Sequence, residues 1–144
     1  MPTKASLTDD MKTAMKARDT QKLGVIRFLL SELKNEEIDN GELDEVGIET
    51  VIARQIKQTK ESIEELQKSG RDELVAEETA KLAVLQSYLP APLSEDELQA
   101  VVSQVVATTD NPNMGQVITA VKAKVGTRAE GSVIATMVKE ALSQ

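Results

Sequence analysis

Residues 112–142 read PNMGQVITAVKAKVGTRAEGSVIATMVKEAL, and their apolar positions carry the helical period twice. Met114, Val117, Ile118, Val121 and Val125 recur at helical spacing, as do Val133, Ile134, Met137, Val138 and Leu142. Lys122, Lys124, Gly126, Arg128, Glu130 and Gly131 lie between the two stripes. The stretch predicts two short amphipathic helices joined by a cationic turn flanked by glycine.

The same period runs upstream, and no segment alternates as a strand would. It predicts a helix over 4–18 (Leu7, Met11, Ala14, Met15) and a second over 20–38 with Leu23, Ile26, Leu30 and Leu33 inward. Asp19 is the expected N-cap of the second, and Asn40-Gly41 breaks it. A third helix over 44–69, striped by Val46, Val51, Ile52, Ile56, Ile63 and Leu66, stops at Gly70. The fourth covers 71–88 through Leu74, Leu82, Leu85 and Tyr88. Pro90-Ala91-Pro92 cannot continue a helix. Ser94 and Glu97 then form a capping box for a fifth helix to about 108. The expected architecture is all-α: a four-helix subdomain over residues 1-90 and a three-helix subdomain over 91-144.

Composition narrows the chemistry. The 144 residues suit one domain or two small ones, with a core built from aliphatics, since Phe28 and Tyr88 are the only aromatics. The absence of cysteine excludes disulfides and thiolate catalysis. The absence of histidine removes the side chain that most often serves as general base or metal ligand. Carboxylate pairs, lysine nucleophiles and oxygen-ligated Mg²⁺ remain chemically open, but no spacing argues for them. No catalytic, cofactor-binding or metal-binding residue is therefore expected. With no apolar leader and no membrane-length apolar run, the expectation is a soluble cytosolic protein.

The net charge of −7 is unevenly spread: +3 over residues 1–35, −11 over 36–100 and +1 over 101–144. Two basic sets are candidates for phosphate contact. Lys12 and Lys16 lie one turn apart on a helix face, although a solvated outer face has the same pattern. The Lys122–Gly131 turn places cations beside glycines and a helix N-terminus, a reasonable phosphate site. Its structural reading has Lys122 and Lys124 complementing a helix C-terminus, Gly126 ending that helix, and Arg128 paired with a carboxylate. In the acidic middle, Glu64, Glu65, Glu77 and Glu78 read as a solvated face or as a site for a basic partner.

Several short segments taken in order resemble the GatB/YqeY family across nearly the full length. They are Asp10-Met11-Lys12, Ala14 to Asp19, Val25-Ile26-Arg27, Lys34-Asn35, Ala83 to Pro90, Met114 to Val117 and Gly126 to Gly131. The family's loop usually reads Arg-Ala-Asp-Gly, whereas Glu130 stands here in the Asp position. Glutamate is the poorer helix cap, so Ser132 is expected to take over and shift the helix start. The resemblance implies a stand-alone YqeY-like protein related to the helical module that closes the B subunit of glutamine-dependent tRNA amidotransferases. It implies a non-catalytic adaptor for tRNA or a tRNA enzyme, with Lys122, Lys124 and Arg128 as primary contacts and Lys12, Lys16 and Arg27 as secondary ones. Without an aromatic in the last 56 positions, that subdomain reads RNA backbone and shape. The alternatives are a carbon–nitrogen ligase using glutamine as amido donor, within a larger complex, or a protein–protein interaction module.

Overall fold

Local chemistry sets most of the helix boundaries. The computed structural model describes residues 2–143 and holds seven α-helices and no strand among them. They are α1 (Lys4–Lys16), α2 (Thr20–Asn40), α3 (Glu45–Lys68), α4 (Asp72–Gln86), α5 (Glu95–Thr108), α6 (Met114–Val125) and α7 (Gly131–Leu142). Asp19 accepts the Lys22 N–H at 3.1 Å to start α2, and Ser94 accepts the Glu97 N–H at 3.1 Å to start α5. Thr3 and Ser6 form a reciprocal capping box on α1 that the sequence reading passes over. Gly41 and Gly70, at φ +77° and +70°, end α2 and α3.

The chain divides into two compact units, Met1–Leu89 and Pro90–Gln144. In the first, α1 packs on α2, α3 on α4, and α2 touches both α3 and α4. Its core comprises Leu7, Val25, Leu29, Leu33, Ile48, Val51, Ile52 and Leu85. In the second, α5, α6 and α7 pack on one another around Leu98, Val102, Val105, Val117, Val121, Val125, Ile134 and Val138. Each such side chain contributes about 1.5–3 kcal/mol of burial free energy. Branched aliphatics therefore supply both buried cores, with Tyr88 packed partly buried against the first.

Some inward positions differ from the expected stripes. Val46 is 65% exposed, because the buried arc of α3 is Ile48, Val51, Ile52 and Gln55. Val46 sits two residues before Ile48, about 200° around the helix. On α2 the inward arc centres on Val25, Ile26, Leu29 and Leu33, leaving Leu23 and Leu30 at its flanks half-buried. Met15 and Leu74, also expected inside, are exposed.

Side-chain links between elements brace the first unit. Lys4 Nζ lies 2.8 Å from Glu37 Oε2, which also accepts the Leu43 N–H at 3.2 Å. The Tyr88 hydroxyl donates to Asp10 Oδ2 at 2.8 Å, tying the residues after α4 to α1. Burial, reinforced by the Asp10 carboxylate, pushes the Tyr88 phenol well above its ordinary value of 10.0. A pKa raised in the folded state gives stability that is full below the unfolded value and is lost as pH rises above it. Tyr88 is the only tyrosine, so a phenolate absorbance titration reads it alone. Native protein is expected to stay protonated through the usual phenol range, and Asp10→Asn to titrate at lower pH; equal titration of the two proteins refutes the link.

Candidate phosphate-binding turn

The second unit builds its turn from the core outward. Asn113 caps α6 by accepting the Gln116 N–H at 2.9 Å, and Val117, Val121 and Val125 then face the core. This phase leaves Lys122 and Lys124 exposed in the last turn. Residues two apart project about 200° from each other, so the lysines occupy opposite flanks. Gly126 closes the helix at φ +57°, ψ −130°, with its N–H donating to the Lys122 carbonyl. A Cβ there would meet nothing within 4 Å, so the need for glycine is torsional. Gly126→Ala is expected to cost about 1–3 kcal/mol, measured by urea unfolding. An unchanged midpoint contradicts this reading of the turn.

A 3₁₀ turn, Gly126–Arg128, leads into α7. Glu130 is the N-cap but makes no side-chain capping hydrogen bond. Ser132 does not take over: α7 begins at Gly131, with its first intrahelical bond from the Ile134 N–H to the Glu130 carbonyl at 3.1 Å. The N–H groups of Gly131, Ser132 and Val133 thus lie at the electropositive end of the helix. Lys122 folds across this end: a methyl group on Gly131 would lie 3.6 Å from both its Nζ and its Cε. Neither Lys122 nor Lys124 forms an ion pair among the described residues.

Arg128 plays a different part. Its Nε donates to the Ala91 carbonyl at 2.9 Å, and its own carbonyl accepts the Leu93 N–H at 2.9 Å. The turn is therefore stapled to the segment that enters α5. Arg128 also lines an open groove of about 540 Å³, floored by Leu93, Leu98, Val133 and Met137 and bordered by Glu95, Glu130 and Glu140. Glu95 and Glu140 are absent from the expected site, because residues 95 and 140 meet residue 128 only through tertiary packing.

The structure thus brings Lys122 to the start of α7, gives Arg128 a structural bond at its edge, and turns Lys124 away. Lys12, Lys16 and Arg27 are exposed on α1 and α2 of the first unit. No cluster among the described residues has the His, Cys, Asp or Glu content to hold a metal ion. No described helix is long and apolar enough to cross a membrane.

Residues 4–142 match the family model described as Yqey-like protein. The chain belongs to the YqeY-like family. Curated relatives of this YqeY-like protein share the name "Altered inheritance of mitochondria protein 41, mitochondrial". The one from Lachancea thermotolerans is 38% identical over 113 residues, 76% of this chain and 60% of the relative. The Eremothecium gossypii protein is 39% identical over 100 residues, 67% of this chain and 55% of the relative. The Kluyveromyces lactis protein is 40% identical over 106 residues, 71% and 57% respectively. The chain spans less than two thirds of the length of these relatives. Their names overturn the cytosolic expectation. That expectation rested on the lack of an apolar leader, and mitochondrial leaders are amphipathic, not apolar.

Proposed function

We propose that this YqeY-like protein is a non-catalytic helical adaptor that binds tRNA or an enzyme acting on tRNA. The observation that carries this reading is the unpaired Lys122 ammonium lying over the start of α7. A cation beside the positive end of a helix is unfavourable unless an anion joins them, and phosphate answers both. Lys122 is the primary contact, Lys124 reaches an adjoining stretch of backbone, and Arg128 fixes the turn while offering its remaining guanidinium donors. Lys12, Lys16 and Arg27 supply secondary contacts from the first unit.

Kinship to the amidotransferase B subunit belongs to the same proposal as domain relationship, not as independent carbon–nitrogen ligation. A chain without histidine or cysteine has neither the commonest general base nor a thiol nucleophile. The acid-bordered groove beside Arg128 favours a second reading in which a basic segment of a protein partner docks there. Fluorescence anisotropy with a tRNA transcript tests the first reading. Binding that weakens steeply with salt supports it; absence of binding at low salt rejects it.

A further inference from the structure

Phe28, the only phenylalanine, stands on the outer face of α2 and is 57% exposed, although the buried core of its unit is aliphatic and Tyr88 is the one aromatic packed against it. Helical geometry puts Arg27, Phe28, Ser31, Lys34 and Ile38 within an arc of about 120°. All five are exposed, Ile38 at 74%. Gly24 continues the stripe one turn earlier, with nothing within 4 Å of where its Cβ would lie, so the surface there is open. No acidic residue falls inside the arc; Glu32 and Asp39 lie past its Phe28 edge. Neither Arg27 nor Lys34 forms an ion pair among the described residues. In a protein of net charge −7, this helix face carries two uncompensated cations beside a solvent-facing aromatic ring.

We propose that this face of α2 binds unpaired nucleotides of single-stranded RNA: Phe28 stacks on an exposed base while Arg27 and Lys34 hold the flanking phosphates. The inference deepens the RNA-binding reading above and rests on it. Duplex RNA hides the faces of its bases within the stack, whereas a loop or free end presents them. Stacking on one aromatic with cations alongside is the common chemistry of sequence-tolerant single-strand binding. A protein partner is the weaker match. Phe28 and Ile38 are ten positions apart, about 15 Å along the axis, with Ser31, Lys34 and Asn35 between them instead of a continuous apolar patch.

The test uses the full chain with labelled oligouridine and an RNA duplex of equal length. Phe28→Ala is expected to weaken oligouridine binding about tenfold and leave duplex binding unchanged. Phe28→Trp is expected to keep the affinity, and its indole fluorescence to be quenched on saturation, in a chain that otherwise has no tryptophan. Arg27→Ala with Lys34→Ala is expected to reduce the salt slope by about 1.4 for the single strand. Unchanged oligouridine binding by Phe28→Ala, or indole fluorescence of the Phe28→Trp variant that is indifferent to RNA, overturns the inference. If tRNA still binds with those outcomes, the adaptor reading survives and only this face is excluded. If the wild type binds no RNA, both fall. A Phe28→Ala variant that differs only in sedimentation marks the face as a self-association surface and also overturns the inference.

Discussion

Replacing Lys122, Lys124 and Arg128 together with alanine is expected to lower tRNA affinity about a hundredfold near physiological salt. Each phosphate contact contributes about 0.9 to the logarithmic salt slope on a duplex, so three lost contacts flatten it by about 2.7. Extrapolated to molar salt the two proteins should converge, because the missing contribution is counterion release. The single substitutions should not be equal. Lys122 lies over the start of α7, whereas Lys124 projects from the opposite flank of α6, so Lys122→Ala should have the larger effect. Arg128→Ala also removes the bond to the Ala91 carbonyl, which mixes folding with binding. A charge-preserving triple variant (Lys122→Arg, Lys124→Arg, Arg128→Lys) separates the two. It should keep most of the slope while losing the Nε staple. Equal affinity of wild type and the alanine variant assigns any RNA contact elsewhere.

Ile134→Ala is expected to have the largest effect on stability, about 2–5 kcal/mol by urea unfolding. Ile134 is 1% exposed in the second core, on the first turn of α7. Deleting its outer carbons removes burial and leaves a void against α5 and α6 that short helices cannot collapse to fill. Small domains have only about 5–15 kcal/mol in total, so a large share of the stability goes with one side chain. The same residue sets the register of α7, and hence where the Gly131–Val133 amides point, so phosphate affinity should fall with stability. Val133→Ala is the control. That neighbour is 43% exposed, and its loss should stay within about 0.5 kcal/mol. A loss below about 1 kcal/mol at Ile134 contradicts the packing described here.

Sequence reading succeeds where the deciding chemistry is local. Asp19 and Ser94 announce helix starts because their side chains reach an N–H three residues on. Gly126 announces an end because a positive φ suits glycine. Periodicity finds the helices but misplaces the phase by a residue where both flanks are apolar. On α2, Leu23 and Leu30 compete with Val25 and Leu29, and only packing against α1, α3 and α4 chooses between them. Composition is likewise silent about Phe28, since an isolated aromatic in a helical stripe normally reads as core. The candidate turn is legible as a cluster of cations but not as a geometry. Spacing alone ranks Lys122 and Lys124 together. The bond from Arg128 to Ala91 spans 37 positions, and Glu95 and Glu140 are likewise brought to the border of its groove only by tertiary packing.

Amide chemical-shift mapping by NMR, with a tRNA transcript added below stoichiometry, probes the start of α7 directly. The Gly131, Ser132 and Val133 amides should shift or broaden first, and the Lys122→Ala variant should abolish their response. If those three resonances stay fixed while those of Glu95, Leu98, Met137 and Glu140 move, the turn is not where phosphate binds.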